Sequence, residues 1–145
     1  MKQKFIDYYM SVAELTSKLS YARRLQVGAV MVKGNKILGT GYNGMPSGWD
    51  NNCEDELKWP NGDIRFLTSK PEVLHAETNC IAKVSASTES SQDATLFCTH
   101  APCLDCAKLI YQSGVNSVYY RTSYRDDSGV KFLEKSGVNV TQYET

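Results

Sequence analysis

Two short stretches constrain this chain more than anything else in it: "LHAETNCIA" at 74–82 and "HAPCLDCAKLI" at 100–110, each placing metal-type donors at the head of an apolar run. His75 and Glu77 stand two residues apart and Cys103 and Cys106 three apart, so the two thiols share one face of any helix they begin. Alone, the His/Glu pair reads as a helix cap, because carboxylates are favoured beside free backbone N–H groups. The cysteine pair points elsewhere, since thiols at that spacing in a reducing cell are metal ligands. Both stretches form one site only where two helix N-termini lie side by side. Open α/β sheets provide this at the carboxyl ends of their strands.

The periodicities supply such a fold. Phe5, Tyr9, Val12, Thr16 and Leu19 recur every three or four residues and predict an opening helix over 5–19. "VGAVMV" (27–32) and "KILGTGYN" (36–43) are strand-like around Gly34 and Asn35 and predict a hairpin. Residues 41–63, rich in Gly, Pro, Asn and Asp, predict a long loop, and loops of that length are usually functional or mobile. Helices are expected at 74–86, 103–113 and 128–136, the last two closed by Gly114 and Gly137, with strands at 94–99, 115–120 and 138–140. Strands alternating with helices after an initial hairpin predict a three-layer α/β/α domain with a five-stranded mixed sheet, a single domain over 1–145.

Charge and cysteine usage narrow the partners. Sixteen basic and sixteen acidic side chains cancel, so the footprint of a polynucleotide binder is missing and small ligands fit better. No segment approaches a membrane span, and the N-terminal stretch lacks the apolar core and cleavage site of a signal peptide, which predicts a cytosolic protein. There the five cysteines, an odd number, read as ligands and buried thiols, with Cys80 and Cys98 expected inside. His100 stays open between a hydrogen-bonded surface histidine and one that orients the cysteine loop by hydrogen bonding.

Three donors, His75, Cys103 and Cys106, leave the fourth position of a tetrahedral zinc ion for water, as in catalytic rather than structural sites. Helix dipoles favour the thiolates that zinc binds. Glu77 is redundant as a fourth ligand and suited to moving protons beside an open metal position. H-x-E with P-C-x-x-C is the pattern of zinc nucleobase deaminases. With "VGAVMV", "GYNGMPSG", "HAETNCIAK" and "PCLDCAKLIYQSGV" in this order, nearly the whole chain resembles the cytidine and deoxycytidylate deaminase superfamily, and within it the deoxycytidylate branch. "GYNGMP" is the most specific piece.

The resemblance implies one catalytic zinc per subunit on His75, Cys103 and Cys106, Glu77 as proton shuttle, and hydrolysis of dCMP to dUMP and ammonia, a step toward dTMP. It implies Asn43 against the deoxyribose 3′-hydroxyl and the pyrimidine edge, Val27 and Ala76 lining the base pocket, and the Ala76 amide receiving the C2 carbonyl. Arg24, Tyr124 and Arg125 are the candidates for the 5′-phosphate, for which the fixed donor fork of arginine is suited. It further implies activation by dCTP and inhibition by dTTP, with magnesium on the triphosphate, through the loop from Tyr42 to Arg65. Gly44, Asn52 and Arg65 are the effector candidates, in an enzyme that assembles as a hexamer.

Two rivals stand beside this reading. One is a zinc deaminase for another base, such as cytosine, guanine or tRNA adenosine; the neutral net charge argues against tRNA. The other is a non-catalytic zinc-stabilised nucleotide-binding module, for which a carboxylate such as Glu77 beside an open metal position has no use.

Overall fold

The apolar runs assemble a central sheet in the computed structural model, which describes residues 1–144. Helix α1 (Gln3–Ser17) precedes the hairpin of β1 (Gly28–Lys33) and β2 (Lys36–Tyr42). Its turn holds Gly34 and Asn35 at φ of 57° and 60°, the left-handed region those two residue types tolerate best. There follow β3 (Glu54–Lys58), β4 (Ile64–Ser69), α2 (Ala76–Ser85), β5 (Thr95–His100), α3 (Leu104–Gln112), β6 (Ser117–Thr122), α4 (Ser128–Lys135) and β7 (Asn139–Gln142). The five-stranded sheet runs β2-β1-β5-β6-β7. Its first three strands pair antiparallel and its last three parallel, giving the expected mixed sheet.

Alternation along the strands decides the layers. Val30, Val32 and Phe97 face α1, where they meet Tyr9, Met10 and Ala13. Their neighbours Ala29, Met31, Leu96 and Cys98 face the other way, against Cys80 of α2, Ile110 of α3 and Leu133 of α4. The result is the three-layer α/β/α arrangement. Cys80 and Cys98 are fully buried, and the five cysteines are all free thiols.

Two glycines let helices seat on backbone. A Cβ on Gly41 would lie 2.4 Å from the Ala76 carbonyl and 2.5 Å from the Cys80 amide, so the first turn of α2 rests directly on β2. A Cβ on Gly129 would lie 2.2 Å from the Pro102 carbonyl, which presses α4 onto the backbone just before Cys103. Both contacts hold the ends of the helices that carry the donor residues.

The expected loop at 41–63 needs correction. Its later part is β3, which pairs antiparallel with β4 as a separate two-stranded sheet. The connection closes through a 2.8 Å bond from the Trp59 amide to the Asp63 carbonyl, with Gly62 at φ 95°. Nearly every side chain of the two strands is exposed on both faces, so "EDELK" carries no apolar alternation and reads as loop. Among the described residues no helix is long and apolar enough to cross a membrane.

Candidate active site

His75 is the N-cap of α2 and Cys103 the N-cap of α3, yet neither side chain bonds back to its own helix. Capping is therefore not what these side chains do. They turn toward each other: His75 Nδ1 lies 3.2 Å from Cys106 Sγ and 3.6 Å from Cys103 Sγ. All three donor atoms fall within 4.8 Å of one another, with His75 exposed, Cys103 half-buried and Cys106 buried. Zn–N and Zn–S bonds of about 2.05 and 2.3 Å in a tetrahedron put nitrogen and sulfur about 3.5 Å apart, so this donor set fits zinc.

Electrostatics at the cluster follow from its hydrogen bonds. The Cys103 thiol is drawn down to about 4, first by the Cys106 thiol and then by His75, while Cys106 is pushed far up by the same partnership and by burial. His75 is raised, chiefly by its bond to Cys103. Thr78 Oγ1 adds a contact to Cys106 Sγ at 3.5 Å. Glu77, in the first turn of α2, is only 4% exposed. Burial pushes its carboxyl up to about 6, against a lowering hydrogen bond from Cys106. A carboxyl poised there can accept and return a proton near neutral pH.

Beside the cluster opens a cavity of about 610 Å³, a volume suited to a small-molecule ligand. Of the residues expected from sequence, His75, Ala76, Glu77, Cys103, Val27, Asn43, Arg24 and Tyr124 line it. Cys106 sits behind the wall. Exposed Arg125 lies outside the lining, next to Tyr124. The effector candidates are also outside it: Gly44 pairs its backbone with Leu74, Asn52 Oδ1 accepts from Arg23 Nη2 at 3.2 Å, and Arg65 stacks 4.6 Å above Trp59.

One wall is an irregular segment tied down at every step. Asn43 Oδ1 accepts from the Val27 amide at 2.9 Å and its Nδ2 donates to the Leu25 carbonyl at 2.8 Å. Asn43 is thus first a clamp on residues 25–27. Glu54 holds the preceding turn, its Oε2 accepting from the Arg23 and Arg24 amides at 2.9 and 3.1 Å. Arg24 Nη1 reaches Ser69 Oγ at 3.1 Å. Glu54, Ser69 and Lys70, which the sequence does not single out, also border the cavity, as does His100. His100 is half-buried and pairs its Nδ1 with Thr99 Oγ1 at 2.9 Å, a hydrogen-bonded histidine rather than a direct partner of the cysteines. No motif marks Glu54 or Lys70; the hairpin and the segment after it carry them to the cavity.

Residues 3–122 match the family model described as the cytidine and deoxycytidylate deaminase zinc-binding region. The chain belongs to the cytidine and deoxycytidylate deaminase family. Within that family it is 36% identical to the deoxycytidylate deaminase of Schizosaccharomyces pombe over 142 residues, covering 94% of this chain and 43% of that protein. It is 37% identical over 125 residues to the deoxycytidylate deaminase of Homo sapiens, covering 84% of this chain and 67% of that one. The chain thus spans less than half the length of the yeast relative. The crystal structure of the dCMP deaminase from the cyanophage S-TIM5 in complex with dCMP and dUMP superimposes with a TM-score of 0.87 at 43% identity, covering 99% of both chains. The His-Cys-Cys cluster is the zinc-type feature expected of this deaminase family.

Proposed function

We propose that the protein hydrolyses dCMP to dUMP and ammonia. The observation that carries this reading is the buried Glu77 beside the His-Cys-Cys cluster, on the wall of a cavity that opens in a chain matching a dCMP- and dUMP-bound deaminase over nearly its full length.

His75, Cys103 and Cys106 would hold the zinc. Bound there, zinc supplies a water whose pKa is lowered to about 7 and which is thereby usable as a nucleophile at neutral pH. The remaining work belongs to the chain. Glu77 moves two protons in turn, one from the attacking water to ring N3 and a second from the hydroxyl then on C4 to the departing amine; burial, which raises its pKa to about 6, suits it to both accepting and giving. Val27 and Ala76 flank the base, and the amide of Ala76 is one of the N–H groups that the first turn of α2 leaves without a helical partner. Asn43 fixes the wall at 25–27 and faces the sugar. Arg24 and Tyr124 take the 5′-phosphate, with Arg125 at the edge.

The finer reading includes supply of dUMP toward dTMP and a cytosolic setting, which the free thiols suit. It also includes hexameric assembly and regulation by dCTP and dTTP with magnesium, through the segment from Tyr42 to Arg65. Turnover of dCMP, CMP, deoxycytidine and cytosine, followed side by side by absorbance, tests the core of it. Preference for dCMP supports the reading; equal or better use of cytosine overturns it.

A further inference from the structure

His100 borders the cavity at the end of β5, yet neither the metal cluster nor the proton path uses it. Its Nδ1 lies 2.9 Å from Thr99 Oγ1, and its Nε2 has no hydrogen-bond partner among the described residues. Thr99 is 5% exposed, so the destination of its single hydroxyl hydrogen has to be accounted for. The β1–β5 ladder stops at the Ala29–Cys98 pair. One residue further, the Thr99 oxygen stands in for a strand carbonyl and accepts from the Gly28 amide at 3.1 Å. Gly28 is itself pinned, because α1 is seated on it: a Cβ there would lie 2.1 Å from the Ala13 carbonyl oxygen.

With its oxygen accepting from Gly28, the Thr99 hydroxyl has one acceptor within reach for its hydrogen, His100 Nδ1. Nδ1 is then the bare nitrogen and Nε2 carries the hydrogen. A doubly protonated imidazole would turn Nδ1 into a donor and leave the buried hydroxyl hydrogen with nothing to meet, which is costly. Burial acts in the same direction and holds His100 below the ordinary histidine range, against the pull of Glu14 on α1.

We infer that Thr99 is a positioning residue: anchored on the Gly28 amide, its hydroxyl fixes His100 as the neutral Nε2–H tautomer, which gives the cavity one N–H donor in a set place for the bound nucleotide. The tautomer follows from the hydrogen bonds alone, whereas the nucleotide rests on the dCMP reading above.

The chain has two histidines, so long-range ¹H–¹⁵N correlation spectra of the zinc-loaded protein show two imidazoles, and His100→Gln identifies which is which. His100 should show a bare Nδ1 and a protonated Nε2 at neutral pH, and saturating dUMP should move its Nε2 resonance. Thr99→Val should keep its zinc but lower kcat/KM on dCMP about three- to tenfold, mainly through KM, while Thr99→Ser, which restores the hydroxyl, stays within about twofold of the wild type. A purely structural Thr99 would add its loss to that of His100→Leu. Action through His100 instead makes the double variant no worse than His100→Leu alone.

A protonated Nδ1 in the wild type overturns the tautomer and the inference with it. An Nε2 resonance unmoved by bound dUMP, additive losses in the double variant, or a Thr99→Val enzyme with wild-type kcat/KM overturns the positioning role. Where the wild type neither turns over dCMP nor binds dUMP, the functional reading fails and takes the donor's role with it, while the spectrum still decides the tautomer. Should Thr99→Val not fold, the His100→Gln and His100→Leu pair decides: glutamine, which keeps an N–H near the Nε2 position, should retain more activity on dCMP than leucine, and equal losses overturn the donor.

Discussion

Glu77 shows how little a single atom change has to do at this site. Glutamine keeps its shape in the 4% exposed position but cannot carry the proton. Glu77→Gln should retain zinc by metal analysis and lose about 10²- to 10⁴-fold in kcat, the usual worth of a general acid–base group. Near-normal turnover would remove Glu77 from the proton path. Arg24 offers a second test: Arg24→Ala should lower kcat/KM on dCMP about ten- to a hundredfold while leaving deoxycytidine little changed. Arg125→Ala, outside the cavity lining, should show a smaller contrast between the two substrates. Equal losses on both substrates for Arg24→Ala would mean a damaged wall rather than a lost phosphate contact. His75, Glu77, Cys103 and Cys106 were legible because their spacing repeats a chemical requirement that any such site shares. Glu54 was not, since in "NCEDEL" it is one acid among three and only closure against the Arg23 and Arg24 amides singles it out.

At the level of elements, two helix starts meet in the donor cluster, and each is seated on backbone through a glycine. Ligand loss should therefore be felt as lost stability as well as lost chemistry, because metal binding free energy is coupled to folding of its site. His75→Ala and Cys103→Ala should each purify without zinc and melt several degrees lower, and chelation should bring the wild type toward the same melting temperature. Full zinc occupancy in both variants would mean the ligands are misassigned. Gly129→Ala should act in the same direction without touching a donor, by pushing α4 off the Pro102–Cys103 backbone. The helices and the five central strands could be read from sequence because each buries a face and so carries a period. The β3–β4 hairpin buries neither face, so its strands carry no apolar period, and the Gly, Pro, Asn and Asp around them read as loop.

For the whole molecule, exposed apolar surface and the proposed regulation meet on the same hairpin. Leu57, Trp59, Ile64 and Phe66 are 45–50% exposed there, and Trp49 before it is 56% exposed. An isolated two-stranded hairpin is marginal in water, and apolar surface of this kind marks contact sites. The same hairpin delivers Glu54 and Ser69, and the segment after it Lys70, to the cavity. A nucleotide bound along Tyr42 to Arg65 at a subunit contact would therefore interact differently with two positions of the cavity wall, which is what coupling between sites requires. The expected outcome is a hexameric mass by light scattering, and rate curves against dCMP that shift to lower substrate with dCTP and to higher substrate with dTTP, both in magnesium. Trp59→Ser, which removes the stacking surface under Arg65 without touching the cavity, should weaken both the assembly and the shifts while sparing the rate at saturating dCMP. Superimposable curves with and without each triphosphate would leave the hairpin as a fixed wall of the cavity and end the regulatory reading.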